Sequence, residues 1–141
     1  FSAEAAKKYP NKRFIFRFHP MMNSSAFMRE HVNNKLKVPK NLIISKNLFE
    51  KDLQSSKYII YRGSAAAVQA LASSKLVIYL RFNDEINIDP LYMLRYKFYV
   101  NKINDLKKIF ENKKIIKKNN FNVEFTKKYF DKPNFNPLLK Y

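Results

Sequence analysis

The chain has 141 residues, 46% of them hydrophobic, so it is long enough to bury a core and too apolar for a disordered tail. Its 28 basic and 11 acidic residues leave a net charge of +17, which attracts nucleotides, nucleic acid, anionic glycans or an acidic membrane face. The same excess also suits the lysine- and asparagine-rich, glycine-poor composition that an A/T-rich genome writes onto any surface. Cysteine is absent, which excludes disulfides and thiolate metal sites, and no apolar run is long enough to cross a bilayer.

Residues 1–8 read as the later part of an amphipathic helix that ends before Tyr9-Pro10, because proline disfavours helix in the residue ahead of it. The chain opens on Phe1, so the expectation is a single domain over 1–141 that is a fragment of a longer protein. Arg13 to Phe18 is predicted as a strand running into His19-Pro20, followed by a polar loop or irregular helix over 21–34. Asn41 to Ser45 is the next strand, and Leu48 to Ser55 a short helix with Leu48, Phe49 and Leu53 available to face a sheet.

Residues 57–80 organise the rest. Tyr58 to Tyr61 and Leu76 to Leu80 are short, β-branched or aromatic, and apolar on both faces, as strands buried in a parallel sheet are. Between them lie the chain's only glycine, Gly63, and the small-residue run Ala65, Ala66, Ala67, Ala70, Leu71 and Ala72, suited to a helix packed closely on the sheet. Strand, turn, helix and strand make a right-handed βαβ crossover. Its first strand ends where its helix begins, at Arg62-Gly63-Ser64, where unsatisfied amides and the helix dipole favour a phosphate.

The 81–91 segment is a loop at the carboxyl end of the second strand, where α/β sheets place ligands. Its acids Asp84, Glu85 and Asp89 read as solvated, and no metal site is expected. Lys97 to Val100 is a further short strand; Ile103 to Asn112 is an amphipathic helix with Ile103, Leu106, Ile109 and Phe110 on one face. Phe121 to Phe130 is a last helix with Phe121, Phe125 and Tyr129 in step, and 132–141 an extended tail. The basic run over 113–118 reads as a solvated face that leaves an anionic membrane contact open, and His31 as a surface residue. The pattern predicts an α/β fold: a Rossmann-like open parallel sheet of about five strands with helices on both faces. No Gly-x-Gly-x-x-Gly fingerprint is present, which argues against a dinucleotide dehydrogenase.

Two motifs line up across this pattern, Arg17-Phe18-His19-Pro20 and Tyr61-Arg62-Gly63-Ser64-Ala65. The pair resembles the carboxyl-terminal, donor-binding half of GT-B glycosyltransferases of bacterial surface polysaccharide synthesis, of the His-Pro type found in sialyl-, polysialyl- and Kdo-transferases. CDP-glycerol-dependent teichoic acid polymerases are similar. The resemblance covers roughly residues 10 to 95. It implies that His19 contacts the nucleotide phosphate and assists departure of the leaving group, and that Ser64 is a second phosphate ligand beside Arg62, Gly63 and Ala65. Arg17, Glu85 and Asn87 become possible donor contacts. The implied substrate is a nucleotide-sugar, best CMP-linked, with no separate cofactor; the implied acceptor is a glycan or a lipid-linked glycan. The protein is then cytoplasmic, with a peripheral position at the inner face of the membrane left open, and nucleic acid is not an expected partner. Ser64 is followed by Ala65 and Ala66, where the family often has a second hydroxyl, and the family's acidic base lies in an amino-terminal domain. This chain alone is expected to be inactive.

Other readings remain for each residue. His19 and Ser64 can serve as a structural hydrogen-bonding residue and a helix cap, and Arg62 and Arg17 as solvated charges. For the whole chain the alternatives are a CDP-glycerol-type phosphotransferase domain, a non-catalytic basic module that binds a polyanion, and a degenerate structural domain.

Overall fold

A computed structural model describes residues 1–19, 22, 24–29, 38–82, 86, 88–112 and 114–129, the side chains of 27 and 129 excepted. The chain divides into two compact units, residues 1–55 and 56–141.

In the first unit, helix α1 (Ser2–Lys8) precedes strand β1 (Phe14–Phe16), a single helical turn α2 (Ser24–Phe27), strand β2 (Leu42–Ile44) and helix α3 (Phe49–Gln54). β1 and β2 are parallel, with Phe14 opposite Leu42 and Phe16 opposite Ile44. Ala5 and Ala6 are fully buried where α1 packs on both strands, small side chains permitting the close approach. The open carbonyls at the end of α1 are met from a distance. Asn41 Nδ2 lies 2.9 Å from the Ala6 oxygen and 3.1 Å from that of Tyr9, and the Asn41 carbonyl accepts from the Phe14 N–H at 2.8 Å. One asparagine thus ties the helix end to the start of the sheet. Leu48, expected to face the sheet, is instead 77% exposed. It holds the extended N-cap conformation ahead of α3 (ψ 150°) and falls outside the helical stripe, leaving buried Leu53 and half-buried Phe49 to make the packing.

The second unit contains β3 (Tyr58–Tyr61), α4 (Ala66–Ala72), β4 (Leu76–Leu80), β5 (Tyr99–Val100), α5 (Asp105–Glu111) and α6 (Ile115–Tyr129). Its strands are parallel in the order β3-β4-β5, with Tyr58 opposite Leu76 and Leu80 opposite Val100. β4 is central, and its buried residues 76–79 explain why that stretch is apolar on both faces. Leu71, Ile78, Leu91, Val100 and Leu106 are buried to 1% exposure or less and form the heart of the unit. α4 turns Ala67, Ala70 and Leu71 inward while Ala65 and Ala72 are exposed, since a run of small residues passes all round a helix and only one stripe meets the sheet. The helix closes with a Schellman pattern: the Lys75 N–H reaches the Ala70 oxygen at 3.0 Å and the Ser74 N–H that of Leu71 at 2.9 Å, with Ser74 left-handed at φ 60°.

α6 starts six residues earlier than the aromatic spacing predicted, so that Lys117 and Lys118 of the basic run lie in its first turn. Its inward stripe is Ile115, Asn119, Asn122, Val123 and Thr126, whereas Phe121 is 44% exposed. The helix packs against α4, whose inward and lateral residues are largely alanine, and the narrow gap admits small polar side chains in place of rings. Asn122 donates to the Tyr96 carbonyl at 2.6 Å, Asn119 to that of Lys75 at 3.3 Å, and Thr126 to that of Asn122 at 2.8 Å.

The fold is therefore α/β with every strand pair parallel. Among the described residues the strands form two ladders, of two and three strands, and a single sheet of five is not shown. β1, β2 and β5 are each only two or three residues long, shorter than their apolar runs, so few ladder hydrogen bonds extend either sheet. No helix among the described residues is long and apolar enough to cross a membrane.

Candidate functional site

The turn between β3 and α4 has the geometry its sequence requires. Gly63 sits at φ +58°, a left-handed conformation that a side chain makes costly. A Cβ at this position would also run into Ile88, whose Cγ1 would lie 2.8 Å away. Gly63 is thus needed twice, for the turn and for the close approach of the post-β4 loop, an approach the sequence did not reveal. Ser64, half-buried, accepts the Ala66 N–H on Oγ at 3.3 Å, and its carbonyl accepts the Ala67 N–H at 3.0 Å. It therefore braces the turn that leads into α4, whose N-cap position is Ala65. Ala65 is exposed at the start of the helix, and Arg62 lays its guanidinium over the Phe82 ring at 4.6 Å, which ties the turn to the end of β4.

A second clamp holds the loop from its far side. The Tyr61 hydroxyl donates to Asp89 Oδ1 at 2.6 Å, and the Leu91 N–H donates to the same oxygen at 2.9 Å. Burial first, and then the hydrogen bond to this carboxylate, push the Tyr61 hydroxyl far above the ordinary phenol range, so it stays a proton donor. Asp89 reads as one of three loop acids in the sequence; only the structure pairs it with the last residue of β3. The cavity beside this pair, about 10 Å³ and lined by Tyr61, Tyr79, Asp89 and Leu94 among others, has room for one water at most.

In the first unit, His19 is exposed beyond the end of β1, and its carbonyl accepts the Met22 N–H at 2.9 Å. Arg17, expected as a possible donor contact, is engaged within its own unit. Its Nη1 donates to the Asn47 carbonyl at 2.6 Å and to Asp52 Oδ2 at 3.0 Å, and its guanidinium lies 5.8 Å from the Phe49 ring centre. Ser45 Oγ donates to the same Asp52 oxygen at 2.5 Å and Asn47 Nδ2 to the other at 3.2 Å. Burial alone raises the Asp52 pKa, but the bonds from Ser45, Asn47 and Arg17 together outweigh it and hold the carboxyl below its ordinary value of 3.8. A depressed folded-state pKa gives stability that is present above the unfolded value and lost as pH falls through the folded one. The first unit is accordingly expected to loosen below about pH 4. Arg17→Ala should move that loss to higher pH, and Asp52→Asn should remove it; thermal melts of the three proteins across the acid range provide the check.

Glu85 and Asn87, together with Asp84, His31 and the 132–141 tail, lie outside the described residues. The structure brings Arg62, Gly63, Ser64 and Ala65 together at the carboxyl end of β3, with Phe82 and Ile88 against them. Among the described residues no cluster of His, Asp and Glu is placed to hold a metal. No protein-family model, curated protein or solved structure matches the chain.

Proposed function

We propose that this chain is the donor-binding half of a GT-B-type glycosyltransferase of surface polysaccharide synthesis that takes a nucleotide-sugar, best CMP-linked. The observation that carries the reading is the parallel β3-α4-β4 crossover, with the only glycine left-handed at the carboxyl end of β3, where open α/β sheets seat ligands. The finer fold, a Rossmann-like open sheet of about five strands, belongs to the same proposal. So do an acceptor that is a glycan or lipid-linked glycan, an amino-terminal domain carrying the acidic base, and a cytoplasmic position peripheral to the inner membrane face.

The chemistry needs donors aimed at the charge that develops on the departing nucleotide phosphate. α4 is two turns long, so its dipole adds little and the seat rests on Arg62 and the turn. Ser64 suits the task because its oxygen accepts from Ala66 while its own O–H can be given to a phosphate oxygen. His19 enters through the resemblance, as the second donor and the acid that assists departure.

Calorimetric titration of the chain with CMP, CDP, UDP and GDP at moderate salt tests the reading. One nucleotide should bind selectively. Ser64→Ala and His19→Ala should each weaken it by about tenfold or more, as loss of a hydrogen bond to a charged group does. A folded chain that binds none of the four, or binds equally well in both variants, would sink the proposal.

A further inference from the structure

A concavity of about 440 Å³ in the second unit opens where residues 95–98 lead into the amino end of β5, beside the last turn of α5 and the first turn of α6. Arg62 to Ala65 stand at the carboxyl end of β3, so in a parallel sheet the two places are at opposite edges. Among the described residues four cations line it, Arg95, Lys97, Lys108 and Lys118, and no carboxylate does. The rings of Tyr96, Phe98 and Tyr99 alternate with the first two of these cations along the chain, and Tyr99 is 52% exposed on the edge strand. Arg95 lies 5.5 Å from the Tyr96 ring centre and 5.6 Å from that of Phe121, and Lys118 lies 5.7 Å from Tyr96, so aromatic faces hold two of the cations in place. The apolar lining residues Ile109 and Ile115 are 8% and 4% exposed and form the floor.

The geometry points to a binding groove for single-stranded nucleic acid, with phosphates on the four cations and a base stacked on the exposed Tyr99 ring, whose centre lies 6.0 Å from the Arg81 guanidinium. Flat ring faces interleaved with cations are what an unpaired strand uses, whereas a duplex keeps its base faces stacked inside. A bilayer is a poorer occupant because the aliphatic lining residues Ile109 and Ile115 lie on the floor and cannot insert. This inference departs from the expectation that nucleic acid is not a partner, on the ground that Tyr99 and Phe121 stand exposed beside the cations. It does not rest on the donor-site reading.

The test is fluorescence anisotropy of the chain with a labelled oligouridylate of about ten nucleotides. Four phosphate contacts at roughly −0.7 each predict a slope of about −2.8 in log K against log salt, a loss of about fifty-fold between roughly 50 and 200 mM. The variant K108A/K118A, at two exposed lysines, should halve the slope. Tyr99→Ala should weaken binding about tenfold at unchanged slope, since stacking is insensitive to salt. Circular dichroism melts of both variants confirm that they fold. Absence of binding, or binding that neither variant changes, would overturn the proposal. Equal binding of a charge-matched heparin fragment with no effect of Tyr99→Ala would also overturn it, in favour of loose charge attraction. Binding to phosphatidylserine-phosphatidylcholine vesicles that K108A/K118A abolishes, with no oligouridylate binding, would assign the groove to a membrane instead. Nucleotide binding at the turn is read by Ser64→Ala and groove binding by K108A/K118A, so either reading can fail alone.

Discussion

Gly63→Val is expected to destabilise the 56–141 unit by on the order of 2 kcal/mol or more and to abolish the nucleotide binding proposed for the turn. Two penalties add. A β-branched residue at φ +58° is strained wherever it occurs, and the new Cβ runs into the end of the Ile88 side chain, which, at 56% exposed, must turn aside to admit it. Gly63→Ala separates them, since alanine meets Ile88 at the same Cβ but lacks the branch. Pairing it with Ile88→Ala relieves the clash and leaves only the backbone strain. Chemical denaturation of the wild type, both single variants and the pair gives the coupling directly. If Ile88→Ala restores nothing to Gly63→Ala, the loop does not press on the turn as described.

Leu71→Ala should cost about 2–5 kcal/mol and lower the melting temperature by roughly 10 °C or more. Leu71 is 0% exposed, the one large side chain on the inward stripe of α4, and α4 packs on β3, β4 and α6 together. Truncating it removes a leucine side chain where the neighbouring inward residues, Ala67 and Ala70, are already too small to fill the void. Ala72→Leu, on the exposed side of the same helix, should change stability by no more than about 0.5 kcal/mol. Equal effects of the two substitutions would mean that α4 does not present the face assigned to it.

Parts of this fold are legible in the chain because the signal is local. β3 and β4 fall on the predicted residues, since a short run that is apolar on both faces has few other stable places to go. The helix before Tyr9-Pro10 and the glycine turn follow from backbone sterics alone. The aromatic spacing of Phe121, Phe125 and Tyr129 misleads, because it describes a helix without saying which neighbour the helix meets. The neighbour proves to be alanine-rich α4, and asparagine and threonine fill the contact while Phe121 stays outside. At the turn, the role of Gly63 as the bend is readable from residue type, whereas the N-cap of α4 falls on Ala65 and leaves Ser64 in the turn before it. The Ile88 contact, the Tyr61–Asp89 bond and the withdrawal of Arg17 into a bridge with Asp52 are not, because their partners stand 25 to 35 residues apart.

Composition and local pattern alone determined the α/β class, the positions of the two strongest strands, the crossover between them and the identity of its turn. Those depend on side-chain periodicity and backbone sterics, which act over a few residues. Tertiary structure decided that the described strands form two ladders, that a hydrophobic loop residue seals the glycine turn, and that cations and rings from residues 95–118 converge on one groove. Those depend on which distant surfaces pack together, and packing is settled by the shape and volume of all the partners at once.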